Sequence, residues 1–248
     1  MDLQKLYSLT RKCIDTYALI SEGDVISVGV SAGKDSLSLL YALSGLRRFY
    51  PKKFTLNAIT VDLGIGNMDL EPVGELCDKL EVPYSIVHTE IADVLFEARK
   101  ETNPCALCAK LRKGALNEKA LELGSNKIAY AHHKDDMIET AFMAMIFEGR
   151  FYTFSPLTYL DRTGLSVIRP FIFIDEADII GFARAYNLPV CKNPCPMDGV
   201  TKREYTKNLL KQIYKENPGS DKRLFRAIVD AGLPGWPEPV PDKRHIIQ

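Results

Sequence analysis

Cys105 and Cys108, in Cys105-Ala106-Leu107-Cys108, have the two-residue gap that lets two thiolates face one metal. By spacing alone this pair fits zinc, a redox couple or an iron–sulfur centre. Cys191 and Cys195 stand downstream in Cys191-Lys192-Asn193-Pro194-Cys195-Pro196. A cysteine followed by proline recurs at iron–sulfur ligands. Four cysteines together would also suit a structural zinc site, which needs four closed ligands. The other two, Cys13 and Cys77, read as core thiols; Cys77 lies among the apolar helical positions Leu76 and Leu80.

A second kind of chemistry is written near the N-terminus. An apolar run ends in Ser31-Ala32-Gly33-Lys34-Asp35-Ser36, with a helical pattern directly behind it. Backbone N–H groups at a helix start, backed by the helix dipole, hold phosphate. Gly33 lets the backbone approach closely, Ser31 and Ser36 offer hydroxyls, and Lys34 adds charge. The spacing is not Walker A, which puts four residues between its first glycine and Gly-Lys-Ser/Thr. The alternative is a polar-capped strand-to-helix turn. Three more positions carry groups suited to a nucleotide and its magnesium. Asp62 ends a strand, where it is equally a turn residue. His132-His133-Lys134-Asp135-Asp136 opens a helix, where an aspartate is equally an N-cap. Arg169 precedes Pro170 and is equally a surface cation.

These residues need a frame. Valine-rich and alternating runs predict strands over Asp24–Val30, Phe54–Leu63, Tyr84–His88 and Lys127–His132. Helical spacing predicts helices over 1–22, Lys34–Leu46, Asp69–Leu80, Ile91–Lys100, Ala106–Leu123 and Asp135–Phe147, with Gly124 and Gly149 as stops. The alternation implies an α/β fold: a mostly parallel sheet with helices on both faces and its sites at the strand C-termini. Beyond Gly149 the pattern predicts a hairpin over Thr158–Ile168, a helix over Ala177–Tyr186, a tight loop at Asn193–Asp198 and a small C-terminal extension with helices over Thr201–Lys215 and Lys222–Ala231. The tail from Leu233 carries four prolines and is expected to lie extended or loose. The expected organisation is an N-terminal helix (1–22), a domain built on the phosphate loop (23–190) and a cysteine loop with C-terminal helices and tail (191–248).

With 248 residues and 46% hydrophobic content, the chain can bury a core without disulfide staples. Its first residues, MDLQKLYSLTRK, are polar, and no run reaches the ~18 apolar residues of a membrane span. A cytoplasmic protein with no membrane partner is expected, and there clustered cysteines read as metal-binding or catalytic. A formal net charge of zero excludes binding to nucleic acid by bulk charge alone. Local basic faces remain: Lys110, Arg112 and Lys113 after the first cysteine pair, and Lys202, Arg203, Lys207 and Lys211 after the second. They read either as an RNA-backbone contact or as solvated helix surface.

The string Ser31–Ser36 resembles the Ser-Gly-Gly-Lys-Asp-Ser loop of the PP-loop ATP pyrophosphatases, with Ala32 where that family usually has its second glycine. If the position needs positive φ, Ala32 is strained. His132–Asp136 resembles the Gly-His-His-x-Asp-Asp segment of the TtcA-like tRNA 2-thiocytidine synthetases, with Ala131 at the glycine. Cys105-x-x-Cys108 before Leu111-Arg112-Lys113-Gly114, Ile168-Arg169-Pro170 and the late cysteine follow in that family's order. The resemblance spans about 25–215 and implies an adenine nucleotide alpha hydrolase-like fold.

It also implies ATP as substrate with Mg2+, bound by Ser31 to Ser36, Asp62, His132, His133, Asp135, Asp136 and Arg169. Lys34 and Asp35 are then catalytic, together with Cys105, Cys108 and Cys195 as three ligands of a 4Fe-4S cluster. Cys191 competes for the third place, because the family's second pair is spaced C-x-x-C. The implied reaction adenylates a pyrimidine carbonyl, C2 of cytidine in the tRNA anticodon loop, and puts sulfur in place of oxygen. The implied partners are tRNA and a sulfur donor, a cysteine desulfurase or free sulfide, in a homodimer. Neutral charge leaves sulfur insertion into a small molecule as the competing enzyme. A nucleotide-binding module with structural zinc is the competing non-enzyme.

Overall fold

The computed structural model describes residues 1–66, 68–98, 104–191, 195 and 201–240. The chain runs α1 (Leu3–Thr16), β1 (Asp24–Gly29), α2 (Lys34–Leu46), β2 (Phe54–Asp62), α3 (Glu71–Lys79) and β3 (Tyr84–His88). It continues through α4 (Ile91–Asp93), a π-helical turn (Val94–Ala98), α5 (Pro104–Glu122), β4 (Lys127–Ala129) and α6 (Lys134–Glu148). The rest is β5 (Leu157–Leu160), β6 (Leu165–Ile168), α7 (Glu176–Ala185), α8 (Lys202–Glu216) and α9 (Ser220–Asp230).

The sheet order is β3-β2-β1-β4-β6-β5. Every pairing is parallel except β5 against β6. The chain leaves β1 toward β2 and β3, then returns to lay β4 on the other side of β1. In open α/β sheets ligands bind where strand order reverses, beyond the strand C-termini. Here that crevice lies between the ends of β1 and β4, which carry Ser31–Ser36 and His132–Asp136.

Both faces are covered, as the near-continuous apolar β1 requires. On one face, Leu37, Leu40 and Leu43 of α2 pack with Ile26 and Val28, and Leu6 and Ile14 of α1 join the same core. On the other, Leu116 and Ala120 of α5 pack with Ile59, Ile128 and Leu165. A Cβ at Gly45 would overlap the Tyr7 ring, so glycine there sets how closely α1 and α2 approach.

The opposite end of the sheet holds a buried charge pair. Lys127 Nζ stands 2.7 Å from Asp24 Oδ2, with both side chains nearly sealed from solvent. Lys127 also donates to the Leu19 carbonyl at 2.8 Å. Asp24 accepts from the Ser21 amide and the Asn126 amide side chain. Removing one partner of such a pair leaves an uncompensated buried charge, at a cost of about 3–5 kcal/mol. Lys127→Met is therefore expected to lower the urea midpoint strongly, and Asp24→Asn combined with it to recover much of the loss. A small shift for the single variant would sink this account.

Several boundaries differ from the expectation. The opening helix stops at Thr16 rather than 22, because Ala18 enters the left-handed region at φ 48°. The helix expected from Ile91 widens into the π-helical turn within one turn, and 99–100 lie outside the described residues. The fourth strand ends at Ala129, so His132 and His133 lead into α6. The tail is anchored rather than loose over its described part: Trp236 packs against the core and the Val240 amide donates to the Thr16 carbonyl at 2.7 Å. Of the loop expected at Asn193–Asp198, only Cys195 lies among the described residues.

Candidate active site

The loop after β1 is built to leave amides open. Gly33 caps α2 with extended backbone and offers no capping side chain. Ser36 Oγ turns back to accept from the Ser31 amide at 3.1 Å and donate to the Gly33 carbonyl at 3.0 Å. This ties the loop into a ring around the helix start. Ala32 takes φ 57° and is fully buried. A non-glycine residue there costs about 1–2 kcal/mol. The Ala32 carbonyl accepts from the Cys191 amide at 2.9 Å, so the loop is fastened to the chain that leads to Cys195.

The end of β4 supplies the facing wall. His133, not an aspartate, is the N-cap of α6: its ring accepts from the Asp136 amide while the Asp136 side chain accepts from the His133 amide. Asp135 accepts from the Glu176 amide at 2.7 Å. Asp35 Oδ2 pairs with Lys34 at 2.9 Å, while Asp35 Oδ1 is buried without a hydrogen-bond partner, 3.8 Å from His133 Nε2. An orphaned carboxylate oxygen beside a phosphate loop fits a magnesium ligand, since Mg2+ takes one or two carboxylates plus phosphate oxygens.

Sequence reasoning missed the residue that joins these parts. Glu176 opens α7 and lies 3.2 Å from Lys34 Nζ. It also accepts twice from Lys207 Nζ of α8, at 2.9 and 2.7 Å. Burial alone would raise the Glu176 carboxyl; Lys207 and Lys34 outweigh it and hold it down at about 2. Nearby, Arg203 reaches Asp136 at 3.2 Å and the buried Glu139 at 3.0 Å. Arg203 and Lys207 are thus ion-pair partners of the site's carboxylates, with the Arg203 side chain still 42% exposed. Their four-residue spacing on α8 was visible in sequence, but their carboxylate partners lie 31 or more residues away. Lys110, Arg112, Lys113, Lys202 and Lys211 are exposed.

Cys105 and Cys108 sit in the opening turns of α5, three apart and so on one side of the helix. Pro104 at the helix start needs no hydrogen-bonded amide. Cys105 is exposed and Cys108 partly so. Burial raises the Cys108 thiol; Arg112 opposes this, and Cys195 and Cys105 add to it. Cys191 is turned elsewhere, with its Sγ donating to the Asp69 carbonyl at 3.2 Å. Among the described residues no three His, Cys, Asp or Glu side chains converge on a single-ion site. A four-iron cluster spreads its thiolates over separate irons and does not need that convergence, so three neighbouring thiols are a fitting donor set. Cys13 and Cys77 are buried; burial pushes the Cys77 thiol up to about 12.

Two neighbouring histidines connect the halves. His133 faces Asp35 and Asp136. The His132 ring meets Phe154 at a tilt of 42°, 4.8 Å between centroids, and lies edge-on to Tyr130. The Arg169 guanidinium packs over Phe154 and donates to the Ser155 carbonyl and Thr158. Arg169 is therefore an interior cation; burial lowers it to about 10. Burial raises the Tyr130 phenol, and Arg169 and Arg112 oppose it. Asp62 does not join the cluster of side chains: it accepts from the Gly64 amide and lies 3.0 Å from His88 Nδ1, a strand-end turn role.

Burial, then the positive charge of Arg169, drives His132 well below its ordinary value of 6.5. A depressed histidine means that the unfolded chain binds the proton more readily, so stability falls as pH drops below about 6.5. The urea midpoint is expected to decrease from pH 7 to pH 5, and more shallowly in His132→Phe. Equal slopes for the two proteins would remove His132 as the cause.

The likeness to known proteins follows this geometry. A PP-loop domain matches residues 4–216. The tRNA-cytidine(32) 2-sulfurtransferase of Geobacter sulfurreducens is 35% identical over 228 residues, covering 91% of this chain and 89% of the relative. That of Geotalea daltonii is 36% identical over 222 residues, 88% of each chain. The U34-tRNA thiolase NcsA from Methanococcus maripaludis, solved with its 4Fe-4S cluster, superposes with a TM-score of 0.74 at 25% identity, over 90% of this chain and 77% of that one. The NH3-dependent NAD synthetase of Campylobacter jejuni shares the fold at a TM-score of 0.53 and 17% identity, over 93% of each. A phosphate loop at the β1–β4 crevice, the Cys105 and Cys108 pair on α5 and this coverage lead to one assignment: the chain belongs to the PP-loop family and, within it, to the tRNA-cytidine(32) 2-sulfurtransferases.

Proposed function

We propose that this protein thiolates tRNA at the expense of ATP, exchanging the C2 oxygen of an anticodon-loop cytidine for sulfur at a 4Fe-4S cluster held by Cys105, Cys108 and Cys195. The observation that supports this most is the PP-loop match over residues 4–216 on a chain that also sets Cys105 and Cys108 on one side of the opening turns of α5. The coupling of Cys108 to Cys195, with Cys191 turned to Asp69, favours Cys195 as the third ligand.

The ATP phosphates lie on the open amides at the α2 N-terminus, with Ser31, Gly33 and Ser36 around them and Lys34 as counter-charge. Asp35 would hold Mg2+, which would offset the charge that develops on the leaving pyrophosphate. The base oxygen attacks the α-phosphorus, pyrophosphate departs, and a poor leaving group becomes an adenylate. Cys105, Cys108 and Cys195 would hold a four-iron cluster, which would supply the sulfide. AMP then leaves with the former base oxygen, and sulfur stands at C2. His132, kept neutral, places no positive charge beside the base, while Arg169 holds the β5–β6 wall.

The same proposal divides the chain into α1 (1–22), the ATP-handling part (23–190) and the segment that brings in Cys195 and α8 (191–248). By resemblance the protein is a cytoplasmic homodimer supplied with sulfur by a cysteine desulfurase or by free sulfide. Among the described residues no helix is long and apolar enough to cross a membrane.

The deciding experiment is anaerobic purification, followed by the visible spectrum, the iron, sulfide and zinc content, and incubation with ATP and tRNA. About four irons per chain, pyrophosphate release and 2-thiocytidine in digested tRNA are expected. A colourless one-zinc protein that releases no pyrophosphate would overturn the proposal. Sulfur transfer to a small acceptor but not to tRNA would redirect it.

A further inference from the structure

The C-terminal end of α6 carries a surface that the ATP and cysteine chemistry leaves unused. Met145, Ile146, Phe147, Phe151 and Tyr152 are 39–47% exposed within one short run, and Tyr205 of α8 is 59% exposed beside them. Soluble proteins seldom leave so many large apolar groups together without a partner. The run is held in place: Gly149 ends α6 in the left-handed region, the Arg150 amide returns to the Ala144 carbonyl, and buried Thr153 donates to the Met137 carbonyl at 3.0 Å.

The chemistry of the patch is aromatic and cationic. Arg150 stacks over Tyr152 at 4.6 Å, and Lys202 stands over Phe147 at 5.0 Å. Phe147 meets Tyr205 edge-on at 6.0 Å. Glu148 pairs with Arg150 at 2.7 Å, which holds that guanidinium beside the Tyr152 ring. Exposed rings interleaved with cations bind unstacked bases, because every base has a π-face and a phosphate beside it. The core of a protein–protein interface is instead depleted in charge.

Its location also fits. Phe147 lies 11 positions along α6 from Asp136, about 16 Å at 1.5 Å per residue. That is the span of about five stacked nucleotides. Lys202 and Tyr205 follow Cys195 by 7 and 10 positions on the chain.

We propose that Phe147, Tyr152 and Tyr205, with Arg150 and Lys202, form a stacking platform for unpaired bases of the RNA substrate, several nucleotides from the base that reacts. This rests on the tRNA reading above and adds the surface that grips the loop. It explains how a chain of zero net charge can hold tRNA: the grip is stacking with a few phosphate contacts rather than a broad electrostatic field.

The test measures tRNA affinity of the full-length protein by filter binding, with ATP affinity, iron content and sedimentation recorded on the same samples. Tyr152→Ala and Tyr205→Ala are each expected to weaken tRNA binding about tenfold or more. Tyr205→Phe and Tyr152→Trp should bind as the parent does, and ATP affinity and iron content should not change. Unchanged tRNA affinity in both alanine variants would overturn the platform while leaving the tRNA reading intact. Lost affinity that tracks dissociation of a dimer would assign the surface to a second copy and overturn it as well. A parent protein that binds no tRNA would sink the functional reading and the platform together.

Discussion

Cys195→Ala is expected to lose its iron and all sulfur transfer, while Cys191→Ala keeps both. The two cysteines are four residues apart, yet their surroundings differ. Cys195 acts electrostatically on Cys108, together with Cys105. Cys191 spends its Sγ on the Asp69 carbonyl and its amide on the Ala32 carbonyl. Losing one of three thiolates removes the attachment of one iron, and with it the donor set. Losing Cys191 removes one weak S–H···O contact, worth at most about 1 kcal/mol. Iron content and 2-thiocytidine yield for the two variants decide the matter. Iron loss in Cys191→Ala with retention in Cys195→Ala would reverse the assignment. If both variants lost iron, four thiolates would hold the centre and leave no open iron for sulfide.

The second large effect concerns Lys34 and its holder. Lys34→Ala removes the phosphate loop's positive side chain, and ATP-dependent pyrophosphate release should fall by about 10²–10³, the scale of losing one preorganised charge-stabilising group. Glu176→Gln should give a smaller loss, about tenfold, because glutamine keeps the shape but no longer balances Lys34 and Lys207. The pH dependence separates holding from chemistry. Glu176 is depressed to about 2, so its contribution to stability is complete above its ordinary value near 4.5 and is lost as pH falls from there through about 2. The acid unfolding limb below pH 4.5 should therefore be flatter in Glu176→Gln than in the parent. An unaltered limb, or Glu176→Gln as inactive as Lys34→Ala, would contradict a purely positioning role.

Glu176 also shows how the two halves of the site are mechanically joined. Its backbone amide holds Asp135, and its carboxylate holds Lys34 and Lys207. Beside it, Lys134 Nζ, nearly buried, reaches Asp175 at 2.7 Å and Asp221 of α9 at 3.3 Å. These contacts tie the C-terminal helices to the phosphate loop, so α8, which follows the Cys195 loop, is positioned by the same carboxylate that steadies Lys34.

Local pattern sufficed wherever local physics decides. The α2 range Lys34–Leu46 and the β3 range Tyr84–His88 were legible because leucine spacing and short apolar alternation each have one good solution. Ser31–Ser36 announced a phosphate site because its residues are adjacent in the chain. The cap of α6 was misread, since histidine is an uncommon capping residue and two aspartates stood next to it. The anchored tail was misread because Trp236 finds its burial against distant residues.

By itself, then, the sequence determined the alternating α/β frame, the phosphate loop, the pair Cys105 and Cys108 and the family resemblance, all of them set by spacing over a few residues. Only the tertiary structure decided that β4 lies beside β1, which brings His133 to Asp35 across the crevice. It also paired Arg203 with Asp136 and Glu139, and Lys207 with Glu176. The physical reason is the same in each case. A charge or thiol is assigned its role by the group it meets, and those partners lie 31 to 98 positions away along the chain, where only the fold can bring them together.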